Sequence, residues 1–160
     1  MFTAFLLLGS NMGDRMRNLD RAAELLSTYG RIQSESTTYE TAAWGKTDQD
    51  AFLNKAIALL TSLEPEALLD ALKSIEREIG RTATVTWGPR EIDIDILVTD
   101  SITYASPRLT IPHPRLSERR FALKPLAEIA AELQVPGTGK TVSGLLEVCS
   151  DPLEVRRADC

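Results

Sequence analysis

The chain has 160 residues, 43% of them hydrophobic and 26% charged, which is enough apolar sequence for one domain with a proper core. Its formal net charge of −5 argues against a broad nucleic-acid surface, because such surfaces are basic. No segment approaches the roughly 20 apolar residues of a membrane span. The opening MFTAFLLLGS has no basic lead and no small-residue cleavage site, so a cytoplasmic protein is expected.

Phe2 to Leu8 is a nearly continuous apolar run, the pattern of a strand buried on both faces. GSNMGD breaks it, with Asn11 or Asp14 placed to cap a helix. Met16, Leu19, Ala22, Ala23, Leu26 and Tyr29 then recur at helical spacing, and Gly30 suits the helix end. Ile32 to Tyr39 has moderate strand character, and ETAAWGKTDQD reads as a loop. Phe52 to Leu60 reads as a strand with Leu53, Ile57 and Leu59 on one face and Phe52 and Asn54 on the other. SLEPEALLDALKSIEREIGR is a strong helix, with Pro65 and acids in its first turn and Gly80 closing it.

After a polar loop, Arg81 to Pro89, comes the strand EIDIDIL. Ile92, Ile94 and Ile96 share one face; Glu91, Asp93 and Asp95 share the other. The order β-α-β-β-α-β predicts an α+β, ferredoxin-like βαββαβ sandwich: an antiparallel sheet with helices packed on one face. The acidic face of strand 91–98 would lie on the open side. Beyond it, short strands are expected at Ile102–Tyr104 and Arg108–Ile111. Helices are expected at Arg119–Leu133, interrupted at Pro125, and at Val142–Cys149. PGTGKT lacks the first glycine of a P-loop, Gln134 standing there, and reads as a polar turn. A single domain over residues 1–160 follows, with about 150–160 a surface tail. Cys149 and Cys160 form no metal-type spacing and are read as free thiols in a reducing compartment.

Same-face Cα atoms two apart on a strand are roughly 6.5–7 Å apart, so Asp93 and Asp95 can converge on one or two cations. A hard, oxygen-preferring ion such as Mg2+ would relieve their repulsion. The other reading is a half-buried strand with a solvated polar face. Arg108 to Lys124 carries five Lys or Arg residues, one acid (Glu118) and the only histidine, His113. Acid pair plus basic cluster suits a metal-bound polyphosphate; a solvated helix face is the bland alternative. His113, fixed between two prolines within the basic segment, is either structural or catalytic. Trp44, Phe52, Trp87 and Phe121 sit near loops, where aromatic faces fill a core or stack on a planar heterocycle. Asn54, on the face of Phe52, could read a hydrogen-bonding edge.

GSNMGDR, FLNKAIAL, IEREIGR, WGPREIDIDIL and LTIPHPRLSERRFALKPLAEIA follow one another in this order. Together they resemble the 6-hydroxymethyl-7,8-dihydropterin pyrophosphokinase family of folate biosynthesis, from Phe2 to about Leu146. The resemblance implies the ferredoxin-like fold and transfer of pyrophosphate from ATP to the pterin hydroxymethyl group, releasing AMP. It implies that Asp93 and Asp95 hold two Mg2+ ions and that Arg90 and His113 contact the ATP phosphates. Arg119 matches a residue that engages the nucleotide, and Glu76, Arg81, Arg108 and Thr110 match positions near it. Trp87 and Phe121 match residues enclosing the pterin, Thr41 and Asn54 its hydrogen-bonding partners, and Phe52 an aromatic lining position. Arg90, Asp93, Asp95 and His113 are thereby the expected catalytic set, in a monomer that binds small molecules and neither nucleic acid nor membrane. Two loops depart from the family pattern. Residues 81–86 lack extra arginines, which turns attention to Arg119 and Arg120, and residues 41–45 carry alanines and Trp44. Two other functions are weighed beside this one: a different two-metal phosphoryl or nucleotidyl transferase, and a non-enzymatic ligand-binding module.

Overall fold

The computed structural model describes residues 1–41, 51–80 and 91–158. Strand β1 (Phe2–Ser10) is buried along its whole length because it has a strand on each edge and packing on both faces. Helix α1 (Arg15–Leu26) begins at Asp14, whose carboxylate accepts a hydrogen bond from the Arg17 N–H at 3.2 Å. It buries Leu19, Ala22 and Leu26 and ends before Gly30.

The single strand expected over Ile32–Tyr39 is two collinear pieces, β2 (Arg31–Glu35) and β3 (Tyr39–Thr41). Both pair antiparallel with β4 (Phe52–Thr61). The break falls at Ser36. Its N–H donates to the Ala56 carbonyl at 2.9 Å, and its hydroxyl accepts from the Ala56 N–H at 2.9 Å. A serine side chain thus replaces one rung of the ladder. Glu40 and Thr41, expected in a loop, belong to β3.

Helix α2 (Pro65–Ile79) has its proline in the first turn and ends at Gly80, whose φ of 109° is left-handed. Strand β5 (Asp93–Thr99) lies beside β1. Ribbon β6 (Tyr104–Ala105) and β7 (Thr110–Ile111) follows. Helix α3 (Arg120–Ala130) runs through Pro125 instead of breaking there. Hairpin β8 (Gln134–Val135) and β9 (Lys140–Thr141) turns through Gly137 and Gly139, so PGTGKT is the polar turn expected. Helix α4 (Val142–Glu147) is capped by the Thr141 hydroxyl.

The segment expected as a surface tail contains strand β10 (Val155–Arg157), which pairs with β3. Val155 is buried because it closes the sheet edge beside Thr41, while Arg156 and Arg157 face solvent. The main sheet therefore runs β10-β3-β4-β1-β5, with β2 also beside β4. This is the α+β antiparallel arrangement the sequence order predicted.

The helices do not all share one face. Ala4, Leu6 and Leu8 of β1 with Ile92, Ile94 and Ile96 pack under α1 and α2. Phe5, Leu7, Ala58, Leu97 and Val98 form a second core with residues of α3 and α4. A register shift next to Phe5 and Leu6 inserts Leu97 between the partners Ile96 and Val98, adding apolar surface to the second core. Only the end of this face holding Asp93 and Asp95 escapes that core. Among the described residues, no helix is long and apolar enough to cross a membrane.

Candidate active site

Antiparallel partners directly opposite one another point to the same face of a sheet. One row of partners runs Asp93, Gly9, Asn54 and Tyr39 across β5, β1, β4 and β3. The next rows place Asp95 opposite Leu7 on one side and Phe52 opposite Thr41 on the other. The acids and the Asn54–Phe52–Thr41 group thus share the face that α3 half covers. Two inter-strand steps, about 10 Å, separate them.

Gly9 is the floor between them. A Cβ there would come within 2.7 Å of Asn54 Oδ1 and 3.5 Å of Phe52 Cδ1. Glycine keeps this floor open where any side chain would fill it.

Asp93 and Asp95 are half-buried. Burial first, then the charge of Asp93, push Asp95 up to about 7. Arg119 pulls it back, Glu76 adds to the rise, and Lys73 opposes it. Glu76, on α2, is almost fully buried, and its Oε2 accepts the Ile94 N–H at 2.8 Å. Lys73 Nζ lies 3.5 Å from Glu76 Oε1. Lys73 is a residue that the sequence reading missed. Its signal was there, one turn before Glu76 on the same helical stripe.

His113 is held from both sides. Its N–H donates to the Leu97 carbonyl at 2.7 Å, and its Nδ1 accepts the Arg115 N–H at 3.1 Å. Burial, then Arg119 and Arg115, push its pKa down to about 4, against the pull of Asp93. The ring is therefore neutral, and with Nδ1 accepting, its proton sits on Nε2. Arg119 stands just before α3, and burial lowers its pKa. Its Nε is buried and has no hydrogen-bond partner among the described residues. Its guanidinium lies 5.6 Å from the ring centroid of Phe121. Thr41 Oγ1 is likewise buried and without a partner among the described residues. A buried polar atom is costly unless another residue, a water or a bound group meets it.

Asp93, Asp95, His113, Arg119 and Glu76 are thus electrically coupled, and Thr41, Phe52 and Asn54 share the acids' face. Phe121 stands beside Arg119. Arg108 is directed elsewhere: it bonds Glu66 at 3.4 Å and Asp70 at 2.5 Å on the first half of α2. Thr110 is exposed on the same ribbon. Arg120, considered beside Arg119 for the nucleotide, donates instead to the carbonyls of Cys149 and Asp151. Arg81, Trp87, Arg90 and Trp44 lie outside the described residues.

The family model for 7,8-dihydro-6-hydroxymethylpterin-pyrophosphokinase matches residues 5–131, most of the chain. The chain belongs to this pyrophosphokinase family. The 2-amino-4-hydroxy-6-hydroxymethyldihydropteridine pyrophosphokinase of Methylorubrum extorquens is 47% identical over 139 residues, 86% of this chain and 88% of that one. The enzyme of that name in Bacillus subtilis is 43% identical over 137 residues, 84% and 82% of the two chains. The crystal structure of wild-type Plasmodium falciparum HPPK-DHPS with STZ-DHP aligns with a TM-score of 0.74 at 18% identity. It matches 91% of this chain, which spans only 43% of that one, so it speaks to the pyrophosphokinase fold.

The residues present fit the Mg2+ that membership implies. Asp93 and Asp95 offer oxygen donors alone, and the proton affinity of Asp95 marks a place where positive charge is wanted. Among the described residues no cluster of three or more His, Cys, Asp or Glu side chains forms a metal cage. Mg2+ characteristically takes one or two carboxylates and completes its shell with phosphate oxygens and water.

Proposed function

We propose that this protein transfers the terminal diphosphate of ATP to the hydroxymethyl oxygen of 6-hydroxymethyl-7,8-dihydropterin, releasing AMP, as a step of folate biosynthesis. The observation that carries the reading is the shared sheet face. A carboxylate pair on β5 and an amide-aromatic group on β4 face the same space across Gly9, with Arg119 and Phe121 at its rim. The two groups stand two inter-strand steps, about 10 Å, apart, which leaves room for a polyphosphate over the acids and a flat bicyclic ring over Asn54.

Asn54 both donates and accepts, so it can pair with the amide-like edge of a pterin. Thr41 Oγ1 supplies another polar contact, and Phe52 and Phe121 supply flat apolar surface. Arg119 Nε and the Nε2–H of His113 donate to phosphate oxygens. A neutral histidine holds a phosphate oxygen without giving up its proton to it. Mg2+ bound by Asp93 and Asp95 would neutralise phosphate charge as the transition state forms. The substrate hydroxyl oxygen attacks the β-phosphorus in line, the bond to the α,β-bridging oxygen breaks, and AMP leaves with that oxygen. The hydroxyl proton passes to solvent or phosphate. What the chain contributes is position and a fixed electrostatic field.

The test is to incubate the protein with ATP, Mg2+ and the hydroxymethyl pterin and separate the nucleotides, with Asp95→Ala alongside. AMP that requires both pterin and Mg2+, and falls by about 10³-fold or more in the variant, is expected. ADP or free pyrophosphate in place of AMP would assign a different phosphoryl or nucleotidyl transfer. No turnover by folded, Mg2+-loaded protein would overturn the reading.

A further inference from the structure

Helix α3 brings Phe121 and its preceding Arg119 to the rim of the site, yet it has no cap of its own. Arg119 occupies the N-cap position and makes no side-chain capping bond. The open N–H of Arg120 is taken by Asp151, 31 residues downstream, whose Oδ2 accepts at 3.1 Å. Asp151 is 5% exposed, and its Oδ1 accepts the Leu153 N–H at 3.0 Å. The Arg120 side chain closes the loop by donating to the Asp151 carbonyl, and to the Cys149 carbonyl at 2.7 Å. Three hydrogen bonds thus tie one short segment to the first turn of α3, and a fourth, within the segment, orients Asp151.

The same segment then reaches the opposite wall. Strand β10 pairs with β3, placing Val155 opposite Thr41 and Arg157 opposite Tyr39. The Ala158 N–H continues the contact to the Thr38 carbonyl at 2.9 Å. Glu128, on α3, braces the two walls directly. It accepts from the Thr37 N–H at 2.9 Å, the Thr37 hydroxyl at 2.8 Å and the Tyr39 hydroxyl at 2.7 Å. Arg157 of β10 stands 3.9 Å from it. Everything here after residue 131 lies beyond the family match.

We infer that the C-terminal segment 149–158 is a positioning element of the active site, a clasp that sets Phe121 on α3, and Arg119 just before it, against Thr41 on β3. The pterin-facing part of this inference rests on the function proposed above; the positioning of Phe121 does not. Asp151 and Arg120 act through α3 and touch no substrate. The clasp closes the site by fixing the gap between its two walls, so its loss should weaken pterin binding more than it slows chemistry.

The experiment uses the full chain labelled with fluorophenylalanine, which gives four ¹⁹F signals because the chain has four phenylalanines. Phe121→Leu assigns the rim signal. In Asp151→Ala, the Phe121 signal should shift or broaden while those of Phe2 and Phe5, in the two cores, stay in place. Asp151→Asn keeps one carbonyl oxygen, enough to accept from the Arg120 N–H though not from the Leu153 N–H as well, and should return it toward the wild-type position. The KM for the pterin should rise about tenfold in Asp151→Ala with kcat changed less than about threefold, and Asp151→Asn should recover most of it. Arg120→Met, which keeps the helix N–H bonded to Asp151, serves if Asp151→Ala does not fold, and should move the same signal. An unmoved Phe121 signal in either folded variant overturns the inference, whatever the turnover. So does a loss of kcat in proportion to the unfolded fraction with an unchanged KM. A wild-type protein that makes no AMP, with Phe121 still displaced in the variants, would fail the proposed function and leave the clasp standing.

Discussion

Asp95 is the residue where folding and function pull apart. An acid whose folded pKa stands near 7, above its ordinary 3.8, holds its proton more tightly in the fold than in the unfolded chain. Its contribution is therefore favourable in acid and is lost as pH rises from about 4 through about 7. In metal-free buffer at pH 8 the ionised pair should cost about 2–4 kcal/mol. Asp95→Asn removes that cost. Chemical unfolding should show the variant more stable than wild type at pH 8, with the gap closing as the pH falls toward 4. Saturating Mg2+ should narrow the gap at pH 8 by stabilising wild type alone. A pH-independent gap would mean that the two carboxylates do not compete for charge. His113 has the opposite sign: its depressed pKa adds stability above about 6.5 that is lost as pH falls through about 4. Above about pH 7 the site thus holds a neutral imidazole beside an ionised carboxylate pair that the fold itself disfavours, the state in which phosphate meets donors and a metal meets acceptors.

At the scale of elements, the edge strand β5 shows how the sheet supports the site. Its inner edge pairs with β1, and among the described residues no strand lies on its outer edge. Glu76 stands in for one, taking the Ile94 N–H between the two aspartates. Glu76→Ala would orphan a buried donor and should cost about 1–3 kcal/mol; Glu76→Gln keeps an acceptor and should cost well under half of that. Thermal or urea denaturation checks both. Equal losses would mean that the Glu76 charge, paired with Lys73, matters and the hydrogen bond does not. Much of this architecture was legible in period. The alternation in EIDIDIL placed Ile92, Ile94 and Ile96 in the core; Glu76 enters only through the family resemblance, and the fold brings it to β5. What was illegible depended on partners far along the chain. The Ser36 rung needs Ala56, the N-cap of α3 needs Asp151, and β10 needs the free edge of β3. Its sequence, VRR, carries one apolar residue, so no alternation announced it. Arg119 and Arg120 look alike in sequence; only the fold sends one to the site and the other to the clasp.

The molecule as a whole is acidic, with a net charge of −5, so its mean field repels a nucleotide polyphosphate. Binding must then come from local charge. The acids on β5 make that local field worse until cations are present, and the basic residues around Arg119 cannot offset it alone. Metal and nucleotide should therefore bind as a unit, each raising the affinity for the other by the same factor. Stability reports this without turnover. A ligand at about 100 times its Kd stabilises the fold by about 2.7 kcal/mol. For a domain of this size that corresponds to a rise of roughly 5–10 °C in Tm. Thermal unfolding with ATP and Mg2+ together should show this rise. ATP with a chelator, or Mg2+ alone, should each give less than about a third of it. In Asp95→Ala the joint increment should collapse to the sum of the separate ones. If ATP with chelator stabilises wild type as much as ATP with Mg2+, the basic rim binds phosphate unaided. The acid pair would then be a solvated strand face, and the high proton affinity of Asp95 a cost with no return.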